Sequence, residues 1–245
     1  MSGDTAPYER DLAYVHSAGY SRLMLPVAHE VVRRLRDRQC SGGTIVDLGC
    51  GAGQVAGEYA AAGYDVIGVD LSPAMIELAQ SIVPHARFEV GSWTTWPLPP
   101  CIAISALGEV VCYLSPGVDP VAVLQDFFAK AFAALAAGGL LVLDVVEIGM
   151  GRELDPTWTA GEDWCCLVKY QYDESHDQLT RRITTFRAAG EFYRRQDEVH
   201  RQQLFARDEV AQMLEQAGFQ VEVAERFGDF TPLPGRAFFA AMKRE

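Results

Sequence analysis

The segment that most constrains the fold is Val46–Gly53, with the sequence VDLGCGAG. An apolar, β-branched run leads directly into a turn with three alternating glycines, and a helical pattern follows. Glycine lets the backbone take conformations that a Cβ forbids and lets a ligand approach the main chain closely. The helix behind the turn offers free N–H groups at its first residues. The segment therefore predicts a strand–turn–helix unit that binds a ligand at the carboxyl end of a parallel sheet.

The spacing of these glycines separates two kinds of nucleotide site. A dinucleotide site has the pattern G-x-G-x-x-G, whereas here the third glycine comes one residue earlier and Asp47 precedes the first. A second strand ends on Asp70, 21 residues after Gly49. A carboxylate at that place can accept both hydroxyls of a ribose. NAD sites and S-adenosylmethionine sites share this acid, so at this point both cofactors remain open.

Strand-like and helix-like segments alternate through the first part of the chain. Such alternation implies a parallel sheet with right-handed crossovers. An amphipathic helix over residues 21–38 precedes it. The predicted strands are Thr44–Leu48, Asp65–Val69, Arg87–Val90, Cys101–Leu107 and Leu140–Val146. The predicted helices are Gln54–Ala62, Pro73–Ile82 with Ser72 as N-cap, and Val121–Ala137, which we expect to end at Gly138-Gly139.

Residues 151–205 interrupt this alternation. Three long segments with polar residues on one side predict an antiparallel meander that covers one end or edge of the sheet. They are Trp164–Tyr172, Gln178–Arg187 and Glu191–Leu204; a helix over Arg207–Gln216 and a strand pair over Phe219–Arg226 and Arg236–Met242 follow. We expect one domain over residues 1–245. It comprises a cap segment (1–40), a cofactor-binding core (41–150), an insertion or lid (151–205) and a closing helix and strand pair (206–245).

Two motifs in tandem carry a family resemblance. Val46–Gly53 resembles the first motif of class I S-adenosylmethionine-dependent methyltransferases, and Val66–Ala79 resembles their second. Gly235-Arg236 leads into a segment similar to the reversed seventh strand of that fold. The resemblance implies an α/β, doubly wound, mostly parallel seven-stranded sheet with a reversed last strand, a Rossmann-like fold, plus the inserted meander. Tyr14–Tyr20 and Glu198–Phe205 add a similarity to bacterial small-molecule methyltransferases, including sugar N,N-dimethyltransferases.

This resemblance also assigns residues to the cofactor, S-adenosyl-L-methionine, whose product is S-adenosyl-L-homocysteine. It implies that the glycine turn holds the methionine and ribose part, that Asp70 holds the ribose hydroxyls, and that Leu71 and Met75 flank adenine. Many family members carry an acid where this chain has Ser92, so a hydroxyl, a backbone carbonyl or water is expected to hold the adenine amino group. The full implied set is Tyr20, Asp47, Gly49, Cys50, Gly51, Gly53, Asp70, Leu71, Met75, Gly91, Ser92, Trp93, Ala106, Leu107 and Gly108.

Methyl transfer from a sulfonium is an in-line displacement, in which the protein mainly aligns the reactants and excludes water. A base is needed only when the acceptor must lose a proton. His200 is our leading candidate, because Glu198 shares its strand face and could orient the imidazole; the alternative is a surface or barrel-edge histidine. His16 is a second candidate, or an ordinary helix-start residue. Glu109 could attract a cationic amine, or it could stabilise a helix N-terminus.

Charge and composition restrict the partners. The net charge of −12 and the pI of about 4.9 disfavour nucleic acid and anionic membranes. The sequence shows no apolar run of the ~20 residues that span a bilayer, and no secretory signal. The six cysteines lack C-x-x-C spacing, so we expect buried thiols in a cytoplasmic protein and no metal site. The meander has two open roles, a substrate lid or the surface of a homodimer.

The resemblance therefore implies an enzyme that transfers a methyl group from S-adenosylmethionine to a small-molecule acceptor, with an amine favoured. A non-catalytic S-adenosylmethionine-binding sensor or scaffold is the alternative from another class. An NAD-dependent oxidoreductase is disfavoured by the glycine spacing and by the closing strand pair. A methyltransferase acting on bases or glutamine is disfavoured, because Gly108-Glu109-Val110-Val111 replaces the Asn/Asp-Pro-Pro-Tyr/Phe segment that such enzymes carry after the fourth strand.

Overall fold

A computed structural model describes residues 7–20, 22–114, 117–150 and 154–244 of the chain. The helices are α1 Arg10–Gly19, α2 Leu25–Asp37, α3 Gln54–Ala61, α4 Pro73–Ile82, α5 Pro120–Ala134 and α6 Arg207–Gln216. The strands are β1 Thr44–Leu48, β2 Asp65–Asp70, β3 Arg87–Val90, β4 Cys101–Ala106, β5 Leu135–Val146, β6 Thr157–Ala160, β7 Trp164–Asp173, β8 Gln178–Ala189, β9 Phe192–Gln203, β10 Phe219–Val223 and β11 Arg236–Lys243. A short 3-10 turn, Val110–Cys112, follows β4.

The larger sheet has seven strands in the order β10-β11-β5-β4-β1-β2-β3. Its strands pair in parallel from β5 to β3, and β11 runs antiparallel to both of its neighbours. Strands covered on both faces are apolar throughout, and β5 is buried from Leu140 to Val146. One face packs against α5 and α6, and the other against α2 and α3. The predicted doubly wound fold with a reversed last strand is confirmed.

The meander forms a second, four-stranded antiparallel sheet in the order β6-β7-β8-β9. Trp164, Cys166 and Ile183 on its inner face pack against Leu12 and Val15 of α1. Leu179 joins the core of the larger sheet, together with Leu204 and Phe205, which follow β9. The predicted meander is thus present, and it covers the carboxyl-end side of β4 and β5, where Glu109 and Asp144 lie.

The junction between α5 and β5 differs from the sequence prediction. The helix predicted over Val121–Ala137 is α5, which ends at Ala134, because Leu135 is extended and already pairs with Cys101 of β4. Gly138 and Gly139 therefore lie inside β5 and do not cap a helix. A Cβ at Gly139 would come within 2.8 Å of the carbonyl oxygen of Ala136. The glycines let the chain fold back tightly at an irregular strand start.

The sequence prediction missed two elements, α1 and β6. All four residues of β6 are exposed, so it carries no burial pattern. The N-cap of α1, Glu9, makes no side-chain capping bond within its own segment. Side chains of β9 accept the N–H groups there instead: Glu198 accepts that of Glu9, and the amide oxygen of Gln196 accepts that of Asp11. A local pattern cannot show such partners. The helix predicted over 21–38 is the shorter α2, and the strand predicted over Phe219–Arg226 ends at Val223.

Among the described residues, no helix is long and apolar enough to cross a membrane. All six cysteines are free thiols, and four of them are buried. The described ranges bring together no group of three metal-ligating side chains.

Candidate functional site

The three glycines of the turn after β1 have different tasks. All three have positive φ, which L side chains rarely adopt. A Cβ at Gly49 would overlap the side chain of Val110, and one at Gly53 would come within 3.1 Å of Ala79 and Phe88, so these two glycines permit close packing. A Cβ at Gly51 would meet nothing within 4 Å. Gly51 is thus the glycine whose backbone borders open space.

Gly108, after β4, repeats the arrangement at Gly51. It also has positive φ and open space around a Cβ. Both residues lie at carboxyl ends of neighbouring parallel strands, where ligands of such sheets bind. Together they form a cradle that side chains would fill, so this part of the chain fits the predicted cofactor.

Asp70 ties the glycine turn to the next helix. Its Oδ2 accepts the N–H of Gly51 at 3.0 Å, and its Oδ1 accepts the N–H of Ser72 at 2.8 Å. Burial raises the pKa of this carboxyl, while the two N–H groups oppose that rise. Each carboxylate oxygen has a further lone pair. The structure therefore places Asp70 beside Gly51 with acceptor capacity left for two hydroxyls.

Asp47 lies deeper, beneath the glycine turn. It is 2% exposed, and its Oδ1 accepts the hydroxyl of Ser105 at 2.6 Å. Its Oδ2 has no partner within the described ranges, and neither has the buried hydroxyl of Tyr59. Burial raises the pKa of Asp47 to about 7, because the charged form loses its hydration.

The residues predicted around adenine divide into two groups. Met75 is buried against Ala13 of α1 and Ala52, whereas Leu71 is 45% exposed. The hydroxyl of Ser92 bonds to Thr94 at 2.8 Å, and the N–H of Gly91 bonds to the carbonyl of Asp70. Leu71, Met75, Gly91 and Ser92 all lie near the carboxyl ends of β2 and β3.

The prediction that Trp93 lies at the adenine edge is wrong for its side chain. The indole is buried against Phe127 of α5, and its N–H donates to the carbonyl of Tyr113 at 3.1 Å. An amphipathic ring with one satisfied N–H is better accommodated in the core than at an open edge. Cys50, Ala106 and Leu107 are also buried in the core.

His200 lies in a buried pair with Glu198 on the inner face of β9. Its Nε2 is 2.8 Å from Oε2 of Glu198, and its Nδ1 is 3.5 Å from the hydroxyl of Tyr113. A carboxylate oxygen accepts, so Nε2 is the nitrogen that carries a proton in this pair, and in a neutral imidazole Nδ1 then has the lone pair. His200 is 2% exposed, so the alternative of a surface histidine is wrong.

Glu198 also holds the start of α1. Its two oxygens accept the backbone N–H groups of Tyr8 at 2.8 Å and of Glu9 at 3.0 Å. The carbonyl of Tyr8 in turn accepts the hydroxyl of Ser72, the N-cap of α4, at 2.6 Å. Helix α1 therefore connects the cofactor side of the large sheet to the meander. A cleft of about 370 Å³ lies between its first residues and α4.

The prediction that Glu109 attracts a cationic amine is not supported by its contacts. The residue is 4% exposed, and its backbone has a positive φ of 66°. Its Oε1 accepts from Arg236, and its Oε2 accepts from Gln202 and lies 3.4 Å from Arg181. Both oxygens and the charge are thus already paired. Glu109 fixes the loop after β4 to the meander and to β11.

Asp144, at the end of β5, supports the same loop. Its Oδ1 accepts the N–H groups of Gly108 at 2.7 Å and of Glu109 at 3.2 Å. Burial raises its pKa to about 7, although the bond from Gly108 opposes the rise. Asp144 thereby sets the position of the Gly108 backbone in the cradle.

His16 and Tyr20 of the cap segment are neighbours of the His200 pair. The ring of Tyr8 lies 5.1 Å from that of His16 and 4.9 Å from that of His200, and Tyr20 lies 6.0 Å from His16. Burial, with Arg181 and His200 close by, lowers the pKa of His16 to about 4, so the imidazole is neutral. The cap therefore places its aromatic residues beside the candidate base.

Sequence reasoning missed three residues of this cluster, Tyr8, Arg181 and Arg236. Arg181 had a usable signal, because it interrupts the apolar positions Leu179 and Ile183 on one face of an alternating strand. Nothing local marks Tyr8 or Arg236, which approach the site only through long-range packing.

Comparisons with known proteins agree with this geometry. A methyltransferase domain model matches residues 45–139. YqeM of Bacillus subtilis, which carries the name of a methyltransferase, is 29% identical over 82% of this chain and 84% of its own length. Trans-aconitate 2-methyltransferase of Variovorax paradoxus is 32% identical over 42% of this chain and 38% of its own length.

The fold matches solved structures along its whole length. The sugar N-methyltransferase KedS8 from Streptoalloteichus superposes with a TM-score of 0.77 at 22% identity, over all of this chain and 96% of that one. The match to residues 45–139 includes the glycine cradle and Asp70 at the end of β2. The reversed strand β11 belongs to the same sheet but lies outside the matched residues. Residues 45–139 therefore form a methyltransferase domain, and most of the chain is similar to proteins that carry the name of a methyltransferase.

Proposed function

We propose that this enzyme methylates a small-molecule acceptor, with an amine favoured, and that Nδ1 of His200 receives the proton that the acceptor loses. The observation that carries the proposal is the buried Glu198–His200 pair, whose Nδ1 is directed toward the hydroxyl of Tyr113 at the carboxyl end of β4. Tyr113 follows the 3-10 turn whose Val110 packs on Gly49. The candidate base therefore lies on the cofactor side of the sheet.

The cofactor is proposed to lie against the backbone of Gly51 and Gly108, with its ribose hydroxyls on Asp70. Met75, Leu71, Gly91 and Ser92 are the candidates around adenine. When bound, S-adenosylmethionine supplies an electrophilic methyl group on a sulfonium. Helix α1, held to Ser72 and Glu198, would exclude water from this region, and exclusion of water strengthens electrostatic interactions there.

The protein's part in the reaction is alignment and proton handling. In the transfer, the lone pair of the acceptor nitrogen would form the new bond to the methyl carbon, and the sulfonium sulfur would keep the electron pair of the bond that it loses. The proton of the methylated nitrogen passes to Nδ1 of His200. Glu198 then faces an imidazolium, which an adjacent carboxylate stabilises.

A small acceptor is favoured because the candidate base is enclosed. His200 and Glu198 are 2% and 8% exposed, between α1 and the meander. A protein or nucleic-acid side group would have to displace α1 to reach Nδ1. The contacts of α1 with β7 and β8 favour a lid role for residues 151–205 over a dimer surface. The named relatives agree in acceptor size, since one methylates trans-aconitate and one methylates a sugar.

The test begins with calorimetric titration of the purified protein with S-adenosylhomocysteine, with NAD as a parallel control. Micromolar or tighter binding of the first and none of the second is expected. Formation of S-adenosylhomocysteine is then measured on matched amines, phenols and carboxylates. Turnover of amines above the other classes supports the proposal. Tight cofactor binding without turnover of any acceptor would favour a sensor or scaffold instead.

A further inference from the structure

Arg181 occupies an unusual position in the meander. It lies on the inner face of β8 between Leu179 and Ile183, which are 3% and 7% exposed. Arg182, the next residue, points to the opposite face and is exposed. A guanidinium on a buried inner face loses hydration that its contacts must replace. The contacts of Arg181 therefore indicate why it lies there.

Those contacts leave part of the guanidinium without a partner. One terminal nitrogen donates to the hydroxyl of Tyr113, and the other lies 3.4 Å from Oε2 of Glu109. Nε is buried and has no hydrogen-bond partner among the described residues. A buried donor left unsatisfied is costly. The ion pair with Glu109 thus accounts for one terminal nitrogen of Arg181 and leaves its Nε unexplained.

Both oxygens of Glu109 have hydrogen-bond donors other than Arg181. Arg236 and Gln202 already donate to its two oxygens, and Arg236 also reaches Asp144. The Arg181 ion pair is the longest of these contacts to Glu109. Arg181 consequently keeps a positive charge and an Nε donor that another anion can use. Guanidinium geometry suits the planar pair of oxygens of a carboxylate and also the oxygens of a phosphate.

A second unpartnered atom lies in the same cluster. Nδ1 of His16 is buried without a partner within the described part of the chain. Because its ring is neutral, it can either donate to an oxygen or accept from a hydroxyl. Arg181 also touches Tyr113, whose hydroxyl faces the Nδ1 of His200. Arg181, Tyr113 and the candidate base thus form one continuous cluster.

We propose that Arg181 binds an anionic group of the methyl acceptor, a carboxylate or a phosphate, through its free Nε edge. This inference rests on the proposed function and names the chemical class of its substrate: a small molecule with a nucleophilic group and an oxyanion. The oxyanion pairs with Arg181, and the nucleophile is thereby oriented toward the His200 side of the cluster. Arg181 is then a residue that determines acceptor specificity.

The experiment follows the Nε–H resonance of Arg181 in protein made with isotope-labelled arginine and saturated with S-adenosylhomocysteine. The resonance is assigned by its loss in Arg181→Lys. The probes are trans-aconitate as a carboxylate, inorganic phosphate, and the trimethyl ester of trans-aconitate as an uncharged analogue. We expect one or both anions to shift the resonance and the ester to leave it unchanged. A shift with trans-aconitate indicates that Arg181 binds a carboxylate, and a shift with inorganic phosphate indicates that it binds a phosphate.

Affinities of the variants for the same probes then show whether Arg181 binds the anion itself or only maintains the structure. Arg181→Met should weaken anion binding by about tenfold or more, or ~1.4 kcal/mol. The matched control Arg182→Met, on the exposed face of the same strand, should bind like wild type. Arg181→Lys serves as the folded comparison if Arg181→Met proves unstable. Its charge is kept and its Nε is lost, so it should also bind the anions more weakly.

Three results would overturn the inference: no shift with either anion, an equal shift with the ester, or wild-type anion affinity in both Arg181 variants. Each of these is read on protein that binds S-adenosylhomocysteine. Failure of that cofactor to bind would instead contradict the proposed function, so the two failures are distinguishable.

Discussion

The carboxylate of Glu198 lies 2.8 Å from Nε2 of His200, and it also accepts the N–H groups that begin α1. One buried side chain thus orients the candidate base and holds the cap over it. The position of α1 and the orientation of the His200 imidazole therefore depend on the same carboxylate. An open cap would leave Glu198 exposed to water and the imidazole without its fixed partner.

Replacing Glu198 by Gln tests this coupling. The amide has one acceptor oxygen where the carboxylate has two, and charge-assisted bonds to the N–H groups are lost, at a cost of about 1–3 kcal/mol. Amide hydrogen exchange in Arg10–Gly19 should accelerate accordingly. Glu191→Gln, in the exposed turn before β9, is the matched control. Unchanged protection of α1 in Glu198→Gln would show that its other contacts suffice.

Removal of the imidazole should affect turnover and not cofactor binding. We expect His200→Ala to lower kcat by about 10²–10⁴, the usual contribution of a general base. The affinity for S-adenosylhomocysteine should stay at the wild-type value, because no cradle residue touches His200. His85→Ala, on an exposed loop, controls for the loss of a histidine. Wild-type kcat in His200→Ala would remove His200 from the mechanism.

Asp70→Ala should abolish detectable binding of S-adenosylhomocysteine while the protein stays folded. Two hydrogen bonds from ribose hydroxyls to a carboxylate contribute roughly 1.5–3 kcal/mol each. Asp65→Ala, at the exposed start of the same strand, should bind normally. Circular dichroism checks the fold, since Asp70 also accepts the N–H groups of Gly51 and Ser72. Wild-type affinity in Asp70→Ala would contradict the ribose assignment.

Alanine at two glycines of one turn should have opposite consequences. At Gly49 the new methyl overlaps Val110, so Gly49→Ala should lower the melting temperature strongly. At Gly51 the methyl meets open space, and the cost is only that of a left-handed residue, about 1–2 kcal/mol. Gly51→Ala should therefore remain folded but lose cofactor affinity. Normal affinity in this variant would mean that the cofactor does not lie against Gly51.

The buried carboxyl of Asp47 should make stability depend on pH. Its pKa is about 7 in the folded chain and about 3.9 when unfolded. Between these values the folded chain holds a proton that the unfolded chain has lost, so stability falls as pH rises. At about 1.4 kcal/mol per pH unit, the loss amounts to a few kcal/mol.

Asp47→Asn should remove this dependence, because the amide does not titrate. Denaturant unfolding of the cofactor-free protein at a series of pH values measures it. Between about pH 4 and pH 7, the unfolding free energy of the wild type should fall relative to that of Asp47→Asn. A constant difference for Asp47→Asn would mean that the carboxyl of Asp47 is ionised throughout this pH range.

Local patterns were sufficient for most of the sheet. Three elements could be predicted from local sequence, because their hydrophobic patterns and turn residues lie within the elements themselves. They are the glycine turn, the apolar run of β5 and the alternating strands of the meander. The end of α5 could not, since the alanines after Ala134 favour a helix and only pairing of Leu135 with Cys101 decides otherwise. Helix α1 was missed for the same reason, because the N–H groups of Glu9 and Asp11 at its start bond to Glu198 and Gln196, 189 and 185 residues away.

The sequence by itself determined the cofactor half of the site, because a strand, a glycine turn and an acid at the end of the next strand are fixed by neighbouring residues. Only the tertiary structure decided the acceptor half. From its place in the sequence Glu109 is a suitable amine ligand, but Arg236 and Gln202 come from other elements and donate to its two oxygens. The charge that a side chain presents depends on which partners packing brings within hydrogen-bond distance, and spacing along the chain does not contain that information.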